Sequence, residues 1–305
     1  MKPTPKVSVV MTCYKYAQYL PGAIESVLEQ TYGNVEVIMV NDGSPDNTDE
    51  VMQRYLPDPR VKYLKQPNSG QTIAKNNGIR AATGEYIAFL DADDIWRRDK
   101  LAKQMPLFDA PEVGIVYSTM EFIDDAGARV PYEASPLSTP RAGRITEALF
   151  VDNIVPFSAA VARRECFDKV GVMDDTLKMA IDWDLWLRMS VHFSFAFVDE
   201  PLLLYRVGHP GQMSKNYFVR EKDTMRIMQK FVAANPRLLP RDLVRWTMAY
   251  SCCNRGYNFR AVDGWKSLQF YLQAIGWRWN HGTAYLGIAK LAAFKLTGGR
   301  LRKAR

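Results

Sequence analysis

The chain of 305 residues has only four cysteines: Cys13, Cys166, Cys252 and Cys253. No Cys-x-x-Cys pattern occurs, and the neighbours Cys252 and Cys253 cannot form an ordinary structural staple. They read as buried small hydrophobes in a reducing compartment. No run approaches the ~20 apolar residues that span a bilayer. Even Tyr285 to Leu296 is interrupted by Lys290 and Lys295. The N-terminus lacks a signal-peptide core and cleavage site, which sets the expectation of a cytoplasmic protein. The segment Thr12-Cys13-Tyr14-Lys15-Tyr16-Ala17 lacks the Gly-x-Gly-x-x-Gly of a dinucleotide enzyme. Gly-x-x-x-x-Gly-Lys is absent too, which excludes a P-loop ATPase. There is no internal repeat and no long low-complexity segment.

What is present is ordinary globular material: 47% hydrophobic and 24% charged residues. That is enough for one large domain or two small ones. The formal charge of +7 and a pI near 9.1 favour anionic partners.

The densest chemical signal is Leu90-Asp91-Ala92-Asp93-Asp94. The stretch Glu85–Leu90 before it reads as a buried strand. Side chains alternate along a strand, so Asp91 and Asp93 are expected on one side. Paired carboxylates at a strand end suit a hard divalent cation, which leaves positions open for phosphate. The competing reading is a helix cap, with Asp94 ahead of a helical Ile95-Trp96-Arg97-Arg98.

The chain alternates strand and helix patterns. Strands are expected at Val7–Thr12, Val35–Val40, Val61–Leu64 and Gly114–Tyr117, then at Phe157–Ala162, Phe193–Val198 and Leu202–Val207. Helices are expected near Pro21, over Asp46–Tyr55 and over Thr72–Ala82. Others are Ile145–Val151, Arg164–Val170 and one opening at Asp182. The stretch Pro131–Pro140 reads as a mobile surface loop. This order implies a mostly parallel α/β sheet flanked by helices. Ligands bind such sheets at the carboxyl ends of the strands. Thr12-Cys13-Tyr14, Asn41-Asp42-Gly43-Ser44 and the Asp cluster all fall there. Beyond about residue 215 four helices are expected: Tyr217–Ala234, Arg241–Asn254, Ala261–Gly276 and Thr283–Leu296.

The motifs, taken in order, resemble the family 2 glycosyltransferases, inverting enzymes of the GT-A fold. They are Val7-Ser8-Val9-Val10-Met11-Thr12-Cys13-Tyr14, Ala23–Tyr32, Asn41-Asp42-Gly43-Ser44, Asn68-Ser69-Gly70 with Ala74–Gly78, the Asp cluster, and Asp182-Trp183-Asp184-Leu185-Trp186-Leu187-Arg188. The resemblance runs from Val7 to about Ser214. It implies a catalytic domain over 1–215, with a nucleotide-binding half at about 1–110 and an acceptor half at about 111–215. Residues 216–305 form a helical, basic extension.

By the same resemblance, Thr12, Tyr14 and Asp42 line the nucleotide pocket, Tyr14 stacking on a base and Asp42 accepting from a uracil imide. Asn41 stands where the family more often has Asp. Lys75, where the family commonly has Arg, faces the diphosphate or is a solvated helix lysine. Asn76 and Gly78 serve equally well as helix packing. Asp91 and Asp93 match the family's DxD element: Asp93 on Mn²⁺ or Mg²⁺, Asp91 on ribose or a metal-bound water. Asp94 is left as the cap. Asp182 is the candidate general base for the acceptor hydroxyl. Ile181 replaces the Glu that usually precedes it, and Asp184 is the runner-up. Trp183 is a candidate edge of the acceptor site, and Trp186 reads as core. His209 lies in Tyr205–Ser214, a segment related to the family's Tyr-Arg-x-His that closes over the diphosphate. Gly208 shifts the register by one residue.

The implied activity is transfer of a sugar from a nucleotide-diphosphate donor, UDP-linked in expectation, to a glycan or lipid-linked glycan. The implied setting is polysaccharide, lipopolysaccharide or other cell-surface glycan synthesis. The stretch Ser135–Ser158 is the segment expected to shape acceptor binding. No nucleic-acid partner is expected. Two alternatives stay open: a sugar nucleotidyltransferase, which would want a glycine-rich loop after the first strand, and a non-catalytic binding module on the same fold. The aromatic and basic residues after Trp265 read either as packing or as a peripheral contact with the inner face of the plasma membrane.

Overall fold

The computed structural model describes residues 4–131, 137, 139–209, 211, 212 and 217–296. The chain forms two compact units, Met1–Met213 and Ser214–Arg305.

In the first unit the strands are β1 Val7–Cys13, β2 Val35–Asp42, β3 Val61–Gln66, β4 Tyr86–Phe89, β5 Ile95–Trp96, β6 Val113–Ile123, β7 Val161–Arg163 and β8 Ser194–Arg206. The helices are α1 Leu20–Leu28, α2 Thr48–Met52, α3 Gln71–Ala81, α4 Lys100–Gln104, α5 Thr146–Val151, α6 Arg164–Val170 and α7 Ile181–Ser190. All eight strands join one sheet in the order β3-β2-β1-β4-β7-β6-β8-β5. β3, β2, β1 and β4 run parallel, β7 runs antiparallel to both its neighbours, and β6 pairs parallel with β8. The order reverses between β1 and β4. In an open α/β sheet that reversal opens a crevice beyond the strand ends.

β1 and β2 are apolar along almost their whole length because helices cover both faces. Ala23, Ile24 and Val27 of α1 join the cluster with Val7, Val9, Val37 and Met39. On the other face α3 packs on β1 and β2. Gly78 permits this approach, since a Cβ there would lie 2.4 Å from Val10 Cγ1. A second close approach is at Gly84. Its N–H donates to Ser8 Oγ at 2.8 Å, and that hydroxyl donates to the buried Glu36 carboxylate at 2.5 Å. A Cβ at Gly84 would lie 2.5 Å from Lys6 O and 2.9 Å from Ser8 N, both backbone atoms that cannot step aside. Gly84→Ala is therefore expected to lower stability by about 1–3 kcal/mol, read by urea denaturation.

Three expectations need correction. Ile95-Trp96 is a strand, because it pairs with Leu204 and Leu203 of β8. Phe157–Ala159 is a short 3-10 turn and only Val161–Arg163 is extended. The two strands expected around Pro201 are one, β8, whose extra residues between Val198 and Leu203 bulge against Ser118–Met120 of β6 and accommodate a residue with no N–H. Most of Pro131–Pro140, the start of Ser135–Ser158, Met213-Ser214 and the tail after Leu296 lie outside the described residues.

The second unit holds α8 Tyr217–Ala234, α9 Arg241–Phe259, α10 Gly264–Trp277 and α11 Gly282–Leu296. Asp263 caps α10 by accepting the N–H groups of Trp265 and Lys266. Tyr271 packs against two glycines, where added Cβ atoms would lie 2.8 Å (Gly256) and 2.2 Å (Gly287) from its ring. The four cysteines are buried and free.

Candidate active site

The Asp cluster is a turn, not a continuation of the strand. β4 ends at Phe89, and Asp94 N–H closes on Asp91 O at 3.1 Å. Strand alternation therefore does not set the directions of Asp91 and Asp93, and the two take different partners. Asp91 accepts from Lys75 Nζ at 2.8 Å, while its N–H donates to Ser158 Oγ at 3.1 Å. Asp93 Oδ2 lies 2.9 Å from His209 Nε2.

Asp94 is no helix cap. α4 starts at Lys100, and Asp94 is fully inside, accepting the Arg206 N–H at 3.0 Å. Burial, with the charges of Asp93 and Asp91 adding to it, pushes the Asp94 carboxyl well above the usual carboxylate range. Arg206 ties the turn to two strand ends. Its guanidinium donates to Asp93 O at 2.9 Å and to Asp124 O and Asp125 O at 2.8 and 2.9 Å.

His209 is buried. Its ring lies edge-on to Tyr16 and tilted against Tyr19, at 5.4 and 5.3 Å between centroids. Gly208 brings it there with φ of +87°, a backbone state glycine adopts without strain. Tyr16 OH donates to Gly211 O at 3.0 Å, and Gly208 N–H donates to Gln212 Oε1 at 3.0 Å.

Lys75 is buried, neither solvated nor open to the bulk. Besides Asp91 it faces the Phe157 ring, 4.0 Å from the centroid. Asn76 bridges the chain at Met173, accepting its N–H at 3.0 Å and donating to its carbonyl at 2.9 Å, so it is a packing residue.

On the nucleotide side, Thr12 and Asp42 sit at the carboxyl ends of β1 and β2, with Tyr14 just past β1. Tyr14 is 41% exposed, with the Lys15 ammonium over its ring at 5.2 Å from the centroid. Asp42 is buried and held by Gln66 Nε2, Ser69 N–H and Gly70 N–H at 2.8–2.9 Å. Asn41 is turned to Asp49 and Tyr63, at 3.0 and 2.9 Å.

Asp182 lies in the first turn of α7, where the helix dipole favours negative charge. The residue before the helix, Ala180, has φ of +54°, left-handed for a residue with a Cβ. Such a conformation persists only where its surroundings enforce it. Asn153 Nδ2 donates to Asp182 Oδ2 at 2.7 Å. Burial raises the Asp182 pKa, opposed by the Asn153 hydrogen bond and by the charge of Lys75. Were Asp182 a general base it would work ionised, and activity would fall as pH drops through a pKa above the ordinary one. Asn153→Ala removes a bond to the charged form. The acid limb of the pH–rate profile is then expected to move further up, by roughly one to two pH units, since such a bond is worth about 1.5–3 kcal/mol.

The other two members of the α7 motif turn inward. Asp184 is buried and pairs with Arg188 Nε at 2.8 Å. Trp183 donates from Nε1 to Leu149 O at 2.6 Å and is inside the fold, not at the edge of a cleft. Trp186 is core, as expected. Arg206, Asn153, Ser158 and Phe157 were not singled out by sequence. Arg206 carried a signal, standing three residues before His209; a lone Asn or Ser in a loop carries none.

The structure holds the donor set a nucleotide-bound cation needs, but not a closed protein cage. No group of three or more His, Cys, Asp or Glu side chains among the described residues is arranged to hold a metal alone. One or two carboxylates, completed by diphosphate and water, fit Mg²⁺ or Mn²⁺.

The chain is similar to known proteins in sequence and in fold. The model of the family described as "Glycosyl transferase family 2" matches residues 8–171. The uncharacterized glycosyltransferase alr2836 of Nostoc sp. (strain PCC 7120) is 35% identical over 222 residues, covering 68% of this chain and 67% of that protein. The chain spans about two thirds of the length of some curated relatives and 35% of others. Among solved structures, S. aureus TarS 1-349 in complex with UDP-GlcNAc superposes with a TM-score of 0.71 at 16% identity, covering 97% of this chain and 93% of that one. The mannosyltransferase PcManGT from Pyrobaculum calidifontis, in complex with GDP-Man and Mn²⁺, gives a TM-score of 0.66 at 20% identity, covering 97% and 81%. Both likenesses support the GT-A architecture. On the family match and the identity to its relatives, the chain belongs to glycosyl transferase family 2.

Proposed function

We propose that the protein is an inverting hexosyl- or N-acetylhexosaminyl-transferase. It moves a sugar from a nucleotide-diphosphate donor, UDP-linked in the first instance, to a hydroxyl of a glycan or lipid-linked glycan in cell-surface polysaccharide synthesis. The observation that carries this reading is the convergence at the β1/β4 crevice. Lys75 pairs with Asp91, Asp93 stands two residues on against His209, and Asp182 is held by Asn153.

Each group then has a task. Tyr14 offers a face for the base, and Asp42 a fixed carboxylate for its imide. Thr12 closes the pocket at the end of β1. Lys75 supplies positive charge next to the diphosphate and exchanges its Asp91 partner for phosphate oxygen. Asp182 takes the proton of the acceptor hydroxyl as that oxygen attacks the anomeric carbon, opposite the departing nucleotide. Asp93, with Asp91 beside it, would hold Mn²⁺ or Mg²⁺, which when bound neutralises charge on the leaving diphosphate. His209 orients Asp93 from behind.

The test is UDP or GDP release by purified protein with Mn²⁺ and a panel of UDP-sugars and GDP-mannose, with and without glycan acceptors. One donor is expected to release its nucleotide, and EDTA to stop the release. No release with any donor, together with no metal-dependent nucleotide binding, overturns the reading. Binding without turnover in the presence of acceptors would reassign the chain as a binding module.

A further inference from the structure

The charge of this protein is not spread over it. Residues 214–305 carry eighteen lysines and arginines against four acids, whereas residues 1–213 carry twenty-two against twenty-nine. The net charge is thus +14 in one unit and −7 in the other. Asp263 is the last acid; the remaining 42 residues contain eight basic side chains and none of opposite sign.

The same helices expose apolar surface. On α10 the buried side is Ser267, Tyr271 and Ala274, while Trp265 and Leu272, two turns apart, are 65% and 53% exposed. Trp279, in the connection to α11, is 72% exposed. α11 has no polar face to offer water. It buries Ala284, Gly287 and Leu291 and exposes Tyr285, Leu286, Ala289, Ala292 and Ala293, with Lys290 as the charge among them. Large exposed aromatics on acid-free helices are costly in water unless something covers them.

No helix among the described residues is long and apolar enough to cross a bilayer. A surface that combines tryptophan, tyrosine and leucine with lysine and arginine, and lacks acids, matches the boundary of an anionic bilayer. The aromatic rings enter the headgroup region, and each basic side chain near the surface adds about 1 kcal/mol. A second copy that met this surface with its own α10 and α11 would face uncompensated positive charge. A nucleic acid would leave the apolar side chains unused.

We propose that α10 and α11 are an interfacial membrane-binding element, which lies on anionic lipid with Trp265, Trp279, Tyr285 and Leu286 inserted. The inference stands apart from the catalytic reading, because it needs no donor and no turnover.

The test is cosedimentation of the full chain with vesicles of phosphatidylcholine containing 0 or about 30 mol% phosphatidylglycerol, anionic surface charge being the variable at issue. The wild-type protein is expected to bind the anionic vesicles at least about tenfold more tightly than the neutral ones. That ratio corresponds to about 1.4 kcal/mol, little more than one basic contact. The triple variant Trp265→Ser, Trp279→Ser, Leu286→Ser is expected to lose about tenfold or more in binding to the anionic vesicles. Its nucleotide release and circular dichroism should stay those of wild type. Tryptophan emission should shift to the blue on vesicle addition in wild type. Equal binding to both vesicle types overturns the proposal, as does unchanged binding of the triple variant. It is also overturned if duplex DNA binds as tightly as the anionic vesicles, or if the wild type is a dimer that the triple variant makes monomeric and neither binds vesicles.

Discussion

Asp182→Asn is expected to cut sugar transfer by roughly 10²–10⁴-fold, the range for loss of a positioned acid–base group. Nucleotide binding, measured by calorimetry with UDP and Mn²⁺, should stay at the wild-type value. The substitution keeps shape and size, and an amide oxygen can still accept from Asn153, so α7 should remain in place. What disappears is the capacity to take a proton. Asp184 cannot inherit the task, because it is buried and paired with Arg188. A variant that transfers at near wild-type rate would show that the base lies elsewhere.

Asp93→Asn should act at the other end of the reaction. The residue sits at the centre of the turn, its backbone carbonyl held by the Arg206 guanidinium and its Oδ2 placed against His209. Removing its charge leaves a cation with Asp91 alone, and Asp91 is already shared with Lys75. Lewis-acid help to a leaving group amounts to several kcal/mol, so kcat/KM with Mn²⁺ is expected to fall by about 100-fold or more. UDP binding should lose its dependence on Mn²⁺, whereas metal-free binding should change little. An unaltered Mn²⁺ titration would remove Asp93 from the metal site. The contrast between the two variants is diagnostic. One loses transfer and keeps donor binding, the other loses both in proportion.

Much of the first half of the fold was legible, and for a physical reason. β1, β2 and β4 are covered on both faces, so their sequences are mainly apolar runs, broken in β1 and β2 only by the paired Ser8 and Glu36 before the polar residues at their ends. The ends locate the crevice directly. The second half was harder. Ile95-Trp96 has the composition of a helix start, and only its partner on β8, more than a hundred residues on, makes it a strand. The same distant partner explains Asp94: a carboxyl expected to cap a helix instead accepts the N–H of Arg206. Trp183 shares a helix turn with Asp182, but its direction depends on Leu149 of a different helix. Asn153 and Ser158 matter because of where α5 and the turn after it dock, which no local pattern records. Charge was the most misleading summary. A chain total of +7 pointed to anionic ligands, yet the unit that carries the crevice is net negative, and the surplus lies in the C-terminal helices. Positive charge beside the crevice is therefore local, at the buried Lys75.

The Arg206 anchorage has a mechanical consequence. Its guanidinium and N–H are bonded to both neighbouring loops, and Val207 N–H donates to Ile123 O at 2.8 Å. The stiff part of the sheet therefore runs through residue 207 and stops. His209 stands two residues later, beyond a glycine with φ of +87°. Among the described residues, the segment past that point is held by His209 on Asp93 and on the rings of Tyr16 and Tyr19, by Gly211 on Tyr16, and by Gln212 on Gly208 and Arg206. Gly208 is thus where strand bonding gives way to side-chain packing, and the seat of the imidazole on Asp93 depends on a backbone state that any residue with a Cβ would adopt only under strain.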